Sequence, residues 1–219
     1  VKMDLAGSPA LFRLNNLSIL IGELLSIVGK NGAGKTFLMN ALSGLMLSTP
    51  SGHASSCFSE ESYLLSDSSK IYDMSIVDNI LMGLSFDFEN LYNSLLYSHL
   101  LDDLLFTNHC HEEGVGVNGS KISGGQKKRL LLARLLYLDP EVFLIDNILS
   151  ALDGPSIHFI ITRCFKEKLK GRTIVVTLSD EVFLKHFDRV IRLEKGVVTF
   201  NGSYIDYLSE AGKTCLILS

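Results

Sequence analysis

The strongest chemical signal in the sequence is a glycine-rich stretch that ends in a lysine and a threonine. Its residues are Gly29, Lys30, Asn31, Gly32, Ala33, Gly34, Lys35 and Thr36. They match the phosphate-binding pattern G-x-x-x-x-G-K-[ST] at every fixed position. Glycines let a backbone approach phosphate closely, so that the N–H groups of the loop and of the next helix point at the anion. We predict that Lys35 reaches the β- and γ-phosphates of a nucleotide and that the Thr36 hydroxyl binds Mg²⁺.

The segments on either side of this stretch decide whether the pattern has the right structural setting. Residues 23–28 are apolar and partly β-branched, which is typical of a buried strand, and residues 37–45 carry helical spacing. A strand, a loop and a helix in that order are the setting that the pattern requires. The alternative, a glycine-rich turn that contains a lysine by chance, would not explain these flanks.

Length and charge limit the class of protein. With 219 residues and a net charge of −4, the chain has the size of an α/β domain with an inserted subdomain and lacks a basic surface signature. The only tight basic run is at residues 127–129, so we predict no nucleic-acid partner. No apolar run is long enough to span a bilayer, because residues such as Glu23 and Arg134 interrupt the most hydrophobic stretches. The chain opens at Val1 without an initiator methionine or a signal-peptide core, so we expect a soluble excerpt of a longer polypeptide.

The cysteines and a short histidine cluster do not predict a metal site. Cys57, Cys110, Cys164 and Cys215 are far apart and in no zinc-like spacing, so reduced thiols are expected. The sequence His-Cys-His at residues 109–111 supplies too few ligands for a four-coordinate site, and we interpret it as a polar loop.

Hydrophobic periodicity and turn residues predict a coarse order of elements. Strands are predicted within residues 1–21 and at 54–58, 142–146, 173–177, 189–193 and 197–200. Helices are predicted at 75–82, 88–101, 104–106, 123–137, 157–169 and 204–210. Residues 59–70 are interpreted as too polar for a core. Ser123 is the predicted N-cap of the longest helix, which Asp139 and Pro140 end.

An aspartate and two further groups of residues are predicted to act together with the glycine-rich loop. Asp146 ends the apolar strand predicted at 142–146, where a carboxylate can hold Mg²⁺ opposite Thr36. The first group, at a predicted helix start, is Ile122, Ser123, Gly124, Gly125 and Gln126. The second group, just after the strand, is Ser150, Ala151, Leu152 and Asp153. A serine and two glycines at a helix N-terminus can form a second site that binds an anion. The alternative is that these residues only form a bend that caps the helix.

In this order the motifs resemble the nucleotide-binding domain of ATP-binding cassette (ABC) transporters, with its signature LSGGQ, its Walker B aspartate and its D-loop SALD. Residues 75–83 resemble the segment TIxxNILFG, and residues 115–119 lead into the signature as in the C subfamily, the multidrug-resistance-protein and cystic-fibrosis-channel type. The chain is similar to the first nucleotide-binding domain of that subfamily. The resemblance implies an α/β P-loop fold in which residues 1–60 and 139–219 form a mostly parallel core with an antiparallel β-subdomain. Residues 61–138 then form an inserted α-helical subdomain.

The resemblance also implies ligands and partners. Mg-ATP would bind at residues 30–37, which adds Phe37 to the loop. Two such domains close head to tail in this family, so that Ser123 would meet the γ-phosphate held by the partner's loop. The implied partners are a second nucleotide-binding domain and the transmembrane domains of a transporter. The chain would then lie at the cytoplasmic face of a membrane, as part of an integral membrane protein.

Three positions depart from the family at residues that serve hydrolysis. Asn147 stands where a carboxylate normally activates the attacking water, and an amide cannot accept the proton of that water. Ser179 stands in place of the switch histidine, and serine carries no comparable charge near the γ-phosphate. Glu60 stands in place of the Q-loop glutamine, with Ser59 or Glu61 as alternatives.

The residue that would stack on the adenine base is also not assigned. The family places an aromatic residue near the position of Asp4, which cannot stack on a base. Phe12 is aromatic, but its spacing suits the core of a strand better.

Together the departures predict a domain that binds Mg-ATP as a clamp for domain closure and hydrolyses it weakly or not at all. The nearly intact signature can still complete a competent site on the partner. One alternative is a working ATPase in which Glu60, Asp180 or Glu181 supplies the missing carboxylate. Another is a soluble ABC protein without membrane domains.

Overall fold

The computed structural model describes residues 2–3, 17–44, 62–106 and 114–210. Its strands are β1 (Lys2–Met3), β2 (Leu17–Ser18), β3 (Leu24–Val28), β4 (Ser62–Ser66), β5 (Val142–Asp146), β6 (Thr173–Thr177), β7 (Arg189–Glu194) and β8 (Val197–Gly202). Its α-helices are α1 (Lys35–Leu42), α2 (Ile76–Leu81), α3 (Phe88–Tyr97), α4 (Leu101–Phe106), α5 (Gly124–Leu138), α6 (Gly154–Phe159) and α7 (Tyr204–Glu210). Helix α6 continues as a wider π-type helix over Ile160–Lys168, and 3₁₀ turns cover Val117–Gly119, Leu149–Ala151 and Glu181–His186.

The main sheet has six strands in the order β4-β5-β6-β3-β7-β8, and β1 and β2 form a separate antiparallel pair. Strands β5, β6, β3 and β7 run parallel, whereas β8 returns antiparallel to β7. Ile145 of β5 lies opposite Val176 of β6, and Ile27 of β3 lies opposite Thr177. The carboxyl ends of β3, β5 and β6 therefore meet at one edge, which is where open α/β sheets bind ligands.

The central strands and helix α1 form the core that positions the glycine-rich loop. Strands β3, β5 and β6 are buried along their whole length, as is typical of a parallel sheet that is covered on both faces. Leu38, Met39 and Leu42 of α1 belong to one apolar cluster with Leu25 and Ile27 of β3. Because Leu25 and Ile27 are two residues apart on a strand, they present the same face of the sheet to the helix. This packing fixes the start of α1 close to the end of β3.

The chain divides into two compact units. The first unit draws its described residues from Val1–Leu64, Val142–Asn147 and Gly171–Ser219, and the second from Leu65–Glu141 and Ile148–Lys170. The sequence predicts a core that takes in all of residues 139–219. In the structure, Ile148–Lys170 groups with the helical unit, because the turn after β5 contacts α5 and the π-type helix contacts α3.

A buried asparagine in α2 holds the segment of chain that precedes this helix. Asn79 is fully buried, and its Oδ1 accepts a hydrogen bond from the Tyr72 N–H at 3.0 Å. Its Nδ2 donates to the carbonyl oxygens of Tyr72 (2.9 Å), Met74 (3.2 Å) and Ser75 (3.1 Å). Arg134 of α5 donates to Asn79 Oδ1 at 3.1 Å and to the Asn79 carbonyl oxygen at 2.7 Å. The segment before α2 is therefore attached directly to α5.

Several predicted elements are confirmed with their bounds. Strands β5 and β6 and helix α7 begin and end where the sequence places them. The predicted hairpin is formed by β7 and β8, with Lys195 and Gly196 in left-handed backbone conformations at its turn. Ser123 is the N-cap of α5, as predicted.

Other elements differ from the prediction for local reasons. The helix predicted over 88–101 ends at Tyr97, because His99 adopts a left-handed backbone conformation with φ 61°. The interpretation of residues 59–70 as too polar for a core is wrong for β4, in which Leu65 is 1% exposed. The strand predicted at 54–58 lies outside the described residues.

The described ranges contain no helix long and apolar enough to cross a membrane. They also contain no cluster of histidine, cysteine and acidic side chains that could hold a metal ion. Cys164 is a buried free thiol whose pKa is raised by its burial. The other three cysteines and the His-Cys-His sequence at 109–111 lie outside the described residues.

Candidate nucleotide-binding site

The loop between β3 and α1 places glycine where a side chain would collide. A Cβ atom on Gly29 would lie 2.4 Å from the carbonyl oxygen of Leu193 and 3.1 Å from the Cβ of Ala33. Gly32 and Gly34 have φ values of 78° and 103°, which favour glycine. The loop therefore depends on its glycines for a tight turn between the strand and the helix.

The first turn of α1 is open to an anion. The N-cap residue is Gly34, so no side chain caps the N–H groups of this turn. Such groups attract anions by hydrogen bonding and through the helix dipole. The side chains of Thr36 and Phe37 in the same turn are exposed. This end of α1 therefore fits a phosphate group, with the Thr36 hydroxyl accessible beside it.

Lys35 folds back over the loop that precedes it. Its Nζ donates hydrogen bonds to the carbonyl oxygens of Gly29 at 2.6 Å and Lys30 at 3.3 Å. Partial burial lowers the pKa of Lys35, and attraction to the carboxylate of Asp146 opposes that shift. An ammonium group in this position can bind a phosphate oxygen that enters the loop.

The carboxylate of Asp146 is oriented by a residue that the sequence did not indicate. Asp146 is 4% exposed, and its Oδ1 accepts a hydrogen bond from the Thr177 hydroxyl at 2.8 Å. The same hydroxyl oxygen accepts a hydrogen bond from the Asn147 N–H at 2.8 Å. Thr177 thus joins the ends of β5 and β6. The only sequence signal for this role is a hydroxyl residue at the end of a buried apolar strand.

Asn147 and Ser179, which are predicted to stand in place of catalytic residues, lie at the same edge of the sheet. Asn147 follows β5 directly with a left-handed φ of 58°, and its side chain is exposed. Ser179 follows β6 after the buried Leu178 and is exposed. It lines a cleft of about 640 Å³ together with residues 29–33 of the glycine-rich loop. The fold therefore brings Ser179 to the cleft beside the loop.

The two carboxylates that follow Ser179 are engaged in local structure. Asp180 Oδ1 accepts a hydrogen bond from the Val182 N–H at 3.0 Å and caps the short helix that begins at Glu181. Glu181 Oε1 accepts a hydrogen bond from the Tyr207 hydroxyl at 2.9 Å. Both contacts favour structural roles for these carboxylates over the role of a substitute base.

The signature residues begin α5 in the helical unit. Ser123 Oγ accepts a hydrogen bond from the Gln126 N–H at 3.1 Å, and Gln126 Oε1 accepts one from the Ser123 N–H at 2.9 Å. This reciprocal pair is a capping box. Gly124 is exposed, with open space where a Cβ would be, whereas a Cβ on Gly125 would make ordinary contact with Arg129 and Ala151. The helix start thus has a capping role, and the Ser123 hydroxyl retains its proton for donation to an external acceptor.

We expect Ser123→Ala to reduce stability without weakening ATP binding at the chain's own loop. Loss of the N-cap should cost about 1 kcal/mol of unfolding free energy. Thermal unfolding and equilibrium ATP binding of the monomeric domain would measure both effects, with Ser209→Ala on the exposed face of α7 as the control. If Ser123→Ala abolished ATP binding by the monomer, the assignment of the signature to a partner's nucleotide would be wrong.

The D-loop residues start the helix that follows β5. Ser150 and Ala151 lie in the 3₁₀ turn, Leu152 is 9% exposed, and Asp153 is the N-cap of α6. Asp153 Oδ1 accepts a hydrogen bond from the Ser156 N–H at 2.7 Å. Hydrogen bonding from Ser156 lowers the pKa of Asp153, so its carboxylate is stabilised in the charged form as a helix cap.

Some predicted site residues cannot be placed. Glu60 and its alternatives Ser59 and Glu61 lie outside the described residues. The same holds for Asp4 and Phe12, so the residue that contacts the adenine base stays unassigned.

The parallel sheet, the glycine-rich loop with its uncapped helix, and the buried Asp146 define a nucleotide-binding domain of the P-loop class. The family described as "ABC transporter" matches residues 13–150. "Bile pigment transporter 1" of Saccharomyces cerevisiae is 33% identical over 214 residues, which is 94% of this chain and 14% of that protein. "ATP-binding cassette sub-family C member 2" of Homo sapiens is 31% identical over 208 residues, 94% of this chain and 13% of that protein.

The chain belongs to the ABC transporter family and is an ATP-binding domain of the C-subfamily type. It spans about one seventh of the length of these curated relatives. Its fold is shared with the solved "Structure of a bacterial Atm1-family ABC exporter with ATP bound". That likeness has a TM-score of 0.82 at 20% identity and covers 95% of this chain and 39% of the other.

Proposed function

We propose that this chain is the first, degenerate nucleotide-binding domain of a C-subfamily membrane transporter, and that it holds Mg-ATP as a clamp without turning it over at a useful rate. The observation that supports the proposal is the set of residues at one edge of the six-stranded sheet. An intact phosphate loop and a buried Walker B carboxylate lie there together with Asn147 and Ser179, which replace the catalytic carboxylate and the switch histidine.

The residues of the loop have separate roles in binding. The uncapped N–H groups of α1 receive the phosphates, and Lys35 turns its ammonium from the carbonyl oxygens of Gly29 and Lys30 toward them. A bound Mg²⁺ would screen the phosphate charge. The hydroxyl of Thr36 and the carboxylate of Asp146 are oxygen ligands of the type that this ion prefers, and Thr177 holds the carboxylate in place.

Hydrolysis is weak because the groups near the attacking water do not accept protons. The amide of Asn147 can orient a water but cannot take its proton. Ser179 offers a neutral hydroxyl where a charged imidazole would help to stabilise the γ-phosphate. Asp180 caps a helix and Glu181 bonds Tyr207, so both nearby carboxylates have other contacts.

ATP that is bound but not hydrolysed can still drive domain closure if it favours the closed state of the two nucleotide-binding domains. A ligand shifts a conformational equilibrium only by its difference in affinity for the two states. Head-to-tail closure supplies that difference, since the partner's signature would then contact the nucleotide held here. In return, Ser123 of this chain would contact the nucleotide held by the partner.

We assign the contact with the transmembrane domains to an apolar groove of about 510 Å³ in the helical unit. The groove is lined by Tyr72, Met74, Asp78, Leu81, Met82, Gly83 and Leu84. Tyr72, Met82 and Leu84 are 44–45% exposed, and exposed apolar patches of this kind mark interaction surfaces. The hydrogen bonds of Asn79 connect Tyr72 and Met74 to Arg134 of α5, so a movement at the groove reaches the helix that carries the signature. With this proposed contact the domain would lie at the cytoplasmic face of the membrane.

A single-turnover experiment on the full transporter tests the proposal. The catalytic carboxylate of the partner domain is removed, and labelled ATP trapped at this loop is followed until it is released. We expect the label to leave as intact ATP. Release as ADP at a useful rate would overturn the clamp and identify a working ATPase, in which case Glu60→Gln would test the remaining carboxylate. A full-length gene without membrane-spanning segments would instead support a soluble ABC protein.

A further inference from the structure

We propose that Glu181 and Tyr207 form a latch that holds the switch turn, residues 178–181, in position beside the nucleotide loop. Glu181 is then a positioning residue of the nucleotide site, and α7 helps to set how long the nucleotide stays bound. The inference rests on the proposed function, because it concerns the lifetime of ATP at the same loop.

The latch starts at the switch turn itself. Glu181 lies two residues after Ser179 and is the first residue of the short helix Glu181–His186. Its Oε1 accepts the hydrogen bond from the Tyr207 hydroxyl at 2.9 Å. Asp180 fixes the backbone between them by capping that helix through the Val182 N–H. A movement of Glu181 therefore moves Ser179 as well.

The other end of the latch is firmly held. Tyr207 is 3% exposed, and its ring packs edge-on against Phe200 of β8 with 5.2 Å between the ring centroids. The guanidinium of Arg192 lies 5.7 Å from the centre of the Tyr207 ring and donates a hydrogen bond to Glu210 at 2.6 Å. The Tyr207 hydroxyl is thus a fixed point on the first unit, and the switch turn is attached to it.

The latch closes a ring of contacts around the cleft of about 640 Å³. The Gly196 N–H, in the turn between β7 and β8, donates to the carbonyl oxygen of Ala33 in the nucleotide loop at 2.9 Å. Strand β8 then leads to α7 and Tyr207, which bonds Glu181, and β6 leads back to β3 and the loop. Ser179, Glu181 and Tyr207 line the cleft, as do residues 29–33 of the nucleotide loop. The hydrogen bond between Tyr207 and Glu181 joins the switch turn to the rest of this ring.

Loss of the latch should shorten the lifetime of trapped ATP. A hydrogen bond to a carboxylate is stronger than a neutral one, so its removal should speed nucleotide release by about threefold to tenfold. Tyr207→Phe removes only the hydroxyl and leaves the ring against Phe200. Glu181→Ala removes the acceptor, whereas Glu181→Gln keeps an oxygen that can accept from Tyr207.

The experiment measures the release rate of labelled ATP trapped at this loop in the full transporter, with the partner domain's catalytic carboxylate removed. Tyr204→Phe, the same substitution at the start of α7, is the matched control. We expect faster release for Tyr207→Phe and for Glu181→Ala, and no further increase when these two substitutions are combined. Glu181→Gln should give a rate between those of the wild type and Glu181→Ala, because its bond to Tyr207 is neutral. The thermal midpoint of each variant should fall, relative to Tyr204→Phe, by no more than the roughly 2–4 °C per kcal/mol that the loss of one hydrogen bond implies.

Three other outcomes would each contradict the latch. Equal release rates for Tyr207→Phe and Tyr204→Phe would show that the hydroxyl does not position the site. Additive effects in the double variant would show that the two residues act separately. A fall of the thermal midpoint larger than the loss of one hydrogen bond explains would show a merely structural contact. Wild-type release as ADP would overturn the proposed function alone, since the release rates of the variants would still report on the latch.

Discussion

Lys35→Ala is expected to lower the affinity of this site for Mg-ATP by about 10- to 100-fold. The ammonium group of Lys35 lies over the loop, where it donates hydrogen bonds to the carbonyl oxygens of Gly29 and Lys30. A hydrogen bond to a charged group is worth about 1.5–3 kcal/mol, and each 1.4 kcal/mol corresponds to a factor of ten in affinity. Equilibrium binding of a labelled nucleotide with and without Mg²⁺ would measure the loss.

The matched control is Lys170→Ala, which removes an exposed lysine from the turn before β6. It has the same change of charge, so a general electrostatic effect would appear in both variants. The assignment of Lys35 would be contradicted by equal losses in the two variants, or by no loss in Lys35→Ala. Asp146→Ala should also weaken binding, but only the part that depends on Mg²⁺, because the proposed role of Asp146 acts through the metal ion.

Asn79→Ala is expected to destabilise the helical unit by about 3–5 kcal/mol of unfolding free energy. The substitution removes the acceptor of the Tyr72 N–H and one of the acceptors of Arg134. It also removes one of the two donors to the Tyr72 carbonyl oxygen, which keeps the Met74 N–H at 2.8 Å. Each buried polar group left without a partner costs about 1–3 kcal/mol. For a chain of this size the thermal midpoint should fall by roughly 2–4 °C per kcal/mol. Calorimetry of the full-length protein would show the shift in the transition of this domain.

Asn93→Ala provides the comparison, because Asn93 is a half-buried asparagine on α3 in the same unit. Alanine suits a helix better than asparagine does, so the control should be close to neutral. Hydrogen exchange adds a local test, since the amides of residues 72–75 should lose protection in Asn79→Ala and keep it in Asn93→Ala. A small loss of stability, or a loss of protection spread over the whole chain, would contradict the central role of Asn79.

The two predictions concern different steps of the proposed mechanism, namely nucleotide binding and contact with the transmembrane domains. Lys35 acts where nucleotide binds in the first unit, whereas Asn79 holds the groove that we assign to the transmembrane contact in the second unit. Asn79→Ala should therefore impair transport while ATP binding at this loop persists. Lys35→Ala should impair the binding of ATP while the helical unit keeps its stability.

The sequence predicted the parts of the site that depend on neighbouring residues. The glycine positions of the loop, the N-cap at Ser123 and the end of β5 at Asp146 are local features, since turn conformation and helix capping involve residues three or four apart. The departure at Asn147 is also local, because this residue directly follows Asp146. By contrast, the interpretation of residues 59–70 as too polar for a core was wrong for β4, because the burial of Leu65 depends on distant neighbours.

By itself, then, the sequence predicted a phosphate loop, a Walker B strand and a signature helix, and it predicted that Asn147 and Ser179 stand in place of the usual catalytic carboxylate and switch histidine. Only the tertiary structure decided which side chains support them. Thr177 orients Asp146, Arg134 bonds Asn79, and Glu181 bonds Tyr207. The partners in these pairs are 31, 55 and 26 residues apart. No periodic pattern or short motif encodes such contacts, because they form only when the sheet and the helices bring separate segments of the chain together.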